Sequence, residues 1–229
     1  MTPWTWLTTH TPSLPVRITL GLLILLTLAL LDYRRHRQHA TRWREYLILL
    51  LCTLAAMAYG VLNDQITSTI SWEYFYYGKD LGKVLGPHTP PDPLQLHLHA
   101  ALVGIQATWT AGLIIGVALL FANNPSKTLP ELPHKTLLKF LPLIMLITAT
   151  VAALGAYLGY TAHLTRFNDD FPIMLKDNLW RPRRFMAVYG IHLGGYLGGL
   201  LSLLITVPLI LHKRRRLQQG APGFPVDHF

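Results

Sequence analysis

Residues 186–211 read MAVYGIHLGGYLGGLLSLLITVPLIL, 26 residues without a formal charge. As a helix rising about 1.5 Å per residue they reach roughly 39 Å, more than the ~30 Å hydrocarbon core of a bilayer. Four more apolar runs of comparable character fall near 16–32, 46–62, 99–121 and 137–160. The sequence therefore predicts an all-α integral membrane protein, a five-helix transmembrane bundle forming a single domain over residues 1–229. Composition agrees. Of the 229 residues 51% are hydrophobic and 14% charged, where a soluble domain carries about 25% charged residues.

Charge sets the orientation. The net charge is +9, but the basic residues flank apolar runs, which marks orientation and lipid-headgroup contact and excludes nucleic acid as a partner. Residues 33–44, YRRHRQHATRWR, and the tail beginning HKRRR at His212 lie on one side of a five-span chain. The positive-inside rule makes that side the cytoplasm, with the amino terminus outside and the carboxyl terminus inside. The first run stops at DYRRHR with no small-residue cleavage site, so it reads as a span and not as a signal peptide. It is apolar all round, as a peripheral, lipid-facing helix would be. The single cysteine, Cys52, allows no intrachain disulfide and reads as a small core residue.

This topology sorts the ionisable groups. Asp32, Glu45, Glu131 and Asp227 fall inside, among basic residues. Asp64, Glu73, Asp80, Asp92, Asp169, Asp170 and Asp177, with His88, His97, His99, His163 and His192, fall outside or at the outer edge. The outer loops are about 63–98 and 161–185. The first is aromatic-rich: ITSTIS (66–71) leads into WEYFYY (72–77), and GPHTPPDP (86–93) breaks regular structure before the third span. Tyrosine and tryptophan favour the headgroup zone, so the cluster reads as an interfacial belt, with Glu73 out of place in it. Residues 161–185 read as amphipathic and part helical, with Asp169 and Asp170 capping local structure or pairing with Arg166.

The 186–211 run also locates a site. His192 and Tyr196 are four apart and share a helix face with Gly195 and Gly199. Gly190, Gly194 and Gly198 line a different face and predict close packing on a neighbour helix. His192 lies about 9 Å below the outer edge by helical rise, where an imidazole needs a hydrogen-bond partner, a metal or a haem. His99 opens the third span and Asp64 ends the second at a similar level. Asp64 and Glu73 converge only if the chain folds back through ITSTIS. These four, Asp64, Glu73, His99 and His192, form a carboxylate–imidazole set suited to zinc, iron or manganese, although no compact motif such as HExxH occurs. Glu73, as general base, and Tyr196 are the candidate catalytic side chains.

Three stretches, YGVLNDQITSTISWEYFYYGK, IQATWTAGLIIG and YGIHLGGYLGG, resemble blocks found in this order in a family of uncharacterised bacterial inner-membrane proteins. Its members read HDQ(V/I)T…EYF, ATWW and AHxxSYxxG. The pattern falls on Asp64, Gln65, Thr67, Glu73, Tyr74, Phe75, Trp109, His192 and Tyr196. This chain departs from it with Asn63 where histidine is frequent and Gly195 where serine is frequent. The resemblance supports the choice of residues and implies no chemistry. A metal-dependent enzyme acting on an apolar or lipid-like substrate, a non-catalytic membrane subunit or assembly factor with a protein partner, and a b-type cytochrome using His99 and His192 all remain open.

Overall fold

A computed structural model describes residues 14–36, 42–124, 126, 129–164 and 179–220. Asp169, Asp170, Asp177 and Arg166 fall outside the described residues, as does Asp227. The elements are α1 (Leu14–His36), α2 (Arg42–Ile70), a π-helical turn (Tyr74–Gly78), α3 (Gly82–Leu85), α4 (Pro93–Ala122), α5 (His134–Leu138), α6 (Leu141–Tyr160) and α7 (Pro182–Gly220). No strand occurs among the described residues. Five segments, α1, α2, α4, α5–α6 together and α7, are long and apolar enough to cross a membrane. Their outer surfaces carry Leu23, Ile24, Leu62, Phe121, Leu146 and Leu204, each more than half exposed. So much contiguous apolar surface has no place in water and is what acyl chains cover. This is an all-α bundle of an integral membrane protein.

Several helices outrun the hydropathy that announced them. The second apolar run ends near residue 62, yet α2 continues to Ile70. The hydroxyls of Thr67, Ser68 and Thr69 donate to the carbonyls of Asn63, Gln65 and Ile66, so the polar side chains of this stretch are satisfied within the helix itself. α4 begins at Pro93, behind Asp92, whose side chain accepts from the Gln95 amide at 2.9 Å. The fourth apolar run is interrupted near its start: α5 stops at Leu138, and α6 begins at Leu141 with Pro142 in its first turn.

Glycines set the helix pairing. In the antiparallel α2–α4 pair, Gly60 and Gly104 face each other, and Gly112 lies against Thr53 and the Cys52 carbonyl. In the antiparallel α6–α7 pair, Gly155 meets Gly190, Gly159 meets Met186, Gly194 meets Val151 and Ala152, and Gly198 meets Thr148. At each contact backbone touches backbone, which only a missing Cβ permits. The face predicted from Gly190, Gly194 and Gly198 thus packs as expected. α1 leans on α2 and is otherwise exposed.

Two apolar clusters close the ends. Ile48, Leu119, Leu137, Phe140, Ile144 and Ile210 pack at one end, and Tyr74, Phe75, Leu96, Phe185, Met186 and Val188 at the other. The first end is locked by Arg214, one of the HKRRR cations. It does not reach out to lipid headgroups but is 3% exposed. Its guanidinium donates to the carbonyls of Ala122 (2.7 Å), Asn124 (2.7 Å), Leu129 (2.9 Å) and Pro130 (2.9 Å). The α4 C-terminus and the following loop are thereby held on α7, with a cation where the helix dipole favours one. Arg214→Met keeps the bulk and removes the donors. We expect it to lower stability by about 2 kcal/mol, read as an earlier thermal unfolding midpoint in detergent. Of the other residues at this end, Asp32 accepts from the Trp43 amide (2.7 Å) at the start of α2, and Glu131 pairs with His134 (3.5 Å).

Candidate functional site

The opposite end holds Asp64, Glu73, His99, His192 and Tyr196, the residues singled out from the sequence. The last turns of α2 place Asp64 at 2% exposure, facing His192 on α7. Asp64 Oδ1 accepts from Asn63 Nδ2 (3.1 Å) and lies 3.7 Å from His192 Nε2. Asp64 Oδ2 and His192 Nε2 are both buried, and neither has a hydrogen-bond partner among the described residues. A carboxylate and an imidazole left unfinished at this depth are costly unless something else completes them.

The WEYFYY segment supplies the walls. Ser71 ends α2, and its hydroxyl accepts from the Tyr74 amide at 3.3 Å. The chain then winds one π-helical turn, with Lys79 N donating to Tyr74 O (3.0 Å), a local widening often found at functional sites. Asp80, at φ 59°, takes the left-handed conformation that ends the turn, one that aspartate tolerates. The turn throws Tyr74 and Phe75 inward. The Tyr74 ring stacks on His192 (4.8 Å between centroids, 12° between planes), and Phe75 meets it edge-on at 6.1 Å. The aromatic cluster is therefore not simply a belt flat on the membrane. Two of its members are buried plugs, while Trp72, Tyr76 and Tyr77 remain nearer the surface.

Lys79 completes this end. Its ammonium sits 5.5 Å from the centre of the Tyr74 ring. Burial lowers the Lys79 pKa from the usual lysine value, and the Asp64 carboxylate opposes that shift. Burial, helped by the negative charges of Tyr196, Asp64 and Tyr189 where these ionise, pushes the Tyr74 phenol upward, so it stays neutral.

Glu73 does other work. It is buried, and its carboxylate accepts from the backbone amides of Trp180 and Arg181, the latter at 3.3 Å to each oxygen. These amides sit just ahead of α7, where the helix dipole favours an anion. His99 bonds the Gln95 carbonyl of its own helix (2.8 Å), and His163 bonds Thr161 nearby in sequence (2.9 Å). His97 is the histidine of α4 that faces α2: its Nδ1 lies 3.0 Å from Ser68 Oγ and 3.1 Å from Gln65 Oε1. Of the four expected metal ligands, the structure brings Asp64 and His192 together and does not gather Glu73 and His99 with them. No group of three His, Cys, Asp or Glu side chains that would hold a metal forms among the described residues. A catalytic zinc takes three protein ligands. Among the described residues, Asp64 and His192 are one donor short of that set.

Below the Asp64–His192 pair lies a cleft of about 290 Å³ between the α2–α4 and α6–α7 pairs. Asn63, Asp64, His192 and Tyr196 line its head, and Cys52, Leu141, Ile144 and Leu203 its foot. Gly195 and Gly199 open onto it, and a Cβ added at either would meet nothing within 4 Å. Three lining residues also reach the outer surface: Ile114 (61% exposed), Tyr196 (55%) and Leu200 (58%). The cleft is therefore only partly enclosed, and these exposed lining residues lie on the apolar spans α4 and α7. The face read from His192, Tyr196, Gly195 and Gly199 is this wall. The cleft itself, and the parts played by Asn63, Lys79 and His97, are additions from the fold. Comparison with family models, with curated proteins and with solved structures gives no match.

Proposed function

We propose that this integral membrane protein admits a lipid-like substrate sideways from the bilayer and acts on its polar end with Asp64 and His192. One observation carries the reading: Asp64 Oδ2 and His192 Nε2 are buried without partners among the described residues, at the head of an apolar cleft. A polar network serving only to fix helix packing would satisfy both atoms within the protein. A carboxylate beside an imidazole is a general acid–base pair, able to hold or move a proton at a bound head group. Tyr196, one turn below His192, places a phenol in the same wall. Tyr74 and Phe75 cover the imidazole and keep water from it, which strengthens the pair's electrostatics.

Several positions that carry the family resemblance, Asp64, Glu73, Tyr74, Phe75, His192 and Tyr196, lie around this end or support it. With the positive-inside orientation, that end faces outward from a bacterial inner membrane. The test uses the chain purified in lipid nanodiscs and incubated with an extract of its host's lipids. Wild type converts at least one lipid species over time. His192→Ala and Asp64→Asn, folded by circular dichroism, lose about 100-fold or more of that rate, the range of a general acid–base group. Equal conversion by wild type and His192→Ala would defeat the reading.

A further inference from the structure

The two unfinished atoms differ in what they ask of an occupant. Asp64 Oδ2 on a carboxylate only accepts, whereas a neutral imidazole nitrogen either donates or accepts. The Asp64 and His192 atoms face one another across 3.7 Å at the Oδ1 edge. With His192 in the Nε2–H tautomer, a hydroxyl, with one proton to give and two lone pairs, completes both: it donates to Asp64 Oδ2 and accepts from His192 Nε2. A carboxylate head would stand against Asp64. An ammonium head would stand against Lys79, which is near enough to feel the charge on Asp64.

The foot of the cleft limits the rest of the molecule. Asp64 and Cys52 are 12 residues apart on α2, and His192 and Leu203 are 11 apart on α7. Both separations give about 17 Å along the helix axes. An extended alkyl chain, with carbon–carbon bonds of about 1.5 Å in zigzag, fills that length with roughly a dozen methylenes. A cleft of about 290 Å³ has room for one such chain.

We infer that the occupant is a single-chain amphiphile of about a dozen methylenes whose terminal hydroxyl bridges Asp64 Oδ2 and His192 Nε2. This rests on the lateral-access reading above and adds head-group chemistry and chain length to it. The hydroxyl donates to the carboxylate and accepts from the Nε2–H of the imidazole. The tail runs past Gly195 and Gly199 toward Cys52.

The experiment places the full chain in phosphatidylcholine nanodiscs and offers 1-dodecanol, dodecanoate, dodecylamine or 1-butanol at equal concentration. Native mass spectrometry reads the bound fraction, with Gly199→Leu as the filled-cleft control. The expected result is dodecanol occupancy at least tenfold above the other three, reduced about tenfold by Asp64→Asn and abolished by Gly199→Leu. If the three 12-carbon probes bind equally and Gly199→Leu removes them all, the hydroxyl assignment falls and the cleft reading stands. If no probe binds above the Gly199→Leu level, both fall. The head-group comparison is made within the wild type, so it holds even where a variant folds poorly.

Discussion

Gly190→Ala should break the bundle. The added methyl would be driven into the Gly155 carbonyl on the facing helix. No rotamer relieves this, because a Cβ has none and the obstacle is backbone. The two helices would have to move apart along the whole seam that Gly155, Gly159, Gly194 and Gly198 close. Overpacking typically costs 1–3 kcal/mol and more when backbone must shift, so we expect about 3 kcal/mol or above. In a marginally stable bundle that shows as a large fall in the thermal midpoint, or as loss of the monodisperse detergent-solubilised protein. Gly195→Ala, on the same helix but facing the open cleft, should stay within about 0.5 kcal/mol of wild type. Equal melting of the two variants would contradict the packing described here.

Glu73→Ala should be the next most damaging change. It removes a buried carboxylate that receives the Trp180 and Arg181 amides and leaves those donors without a partner. It also opens a void beside Phe75 and Tyr74. Together these cost about 3 kcal/mol, from orphaned buried donors and lost packing. The signature is local as well as global. Amide hydrogen exchange should quicken at residues 74–81 and in the first turns of α7, while the Gly112–Thr53 region of α2 and α4 keeps its protection. Glu73→Gln retains an acceptor and should recover part of the loss. Unchanged exchange in Glu73→Ala would show that the carboxylate does not hold these segments together.

Much of this was legible in the chain. Apolar run length is a direct measure of span, so all five spanning segments could be read from it. The division of α7 into a glycine seam and a His–Tyr wall follows from helical periodicity, and the structure shows Gly190 and Gly195 in those two settings. The ends of helices were less legible, because hydropathy marks where apolar residues stop and not where hydrogen bonding stops. α2 outlasts its apolar run, and its threonine and serine hydroxyls bond back to its own carbonyls. The apolar boundary puts His99 at the start of the third span and leaves His97 in the loop, whereas α4 contains both and turns His97 toward α2. The Asp92–Pro93 pair, an N-cap followed by proline, was the signal that α4 begins earlier. The use of Glu73 was not legible at all: its partner Trp180 is 107 residues away, and nothing in the local pattern around either residue names the other.

The two glycine rows of α7 have an evolutionary corollary. Positions 155, 159, 190, 194 and 198 are frozen, since any growth there meets main chain. Positions 195 and 199 are free to enlarge without disturbing a neighbour. Homologues can therefore retailor what the cavity accepts, shorter here or bulkier there, by single substitutions at two sites while inheriting the scaffold unchanged. Diversity among descendants should gather on one stripe of one helix, and the stripe beside it should stay monotonous.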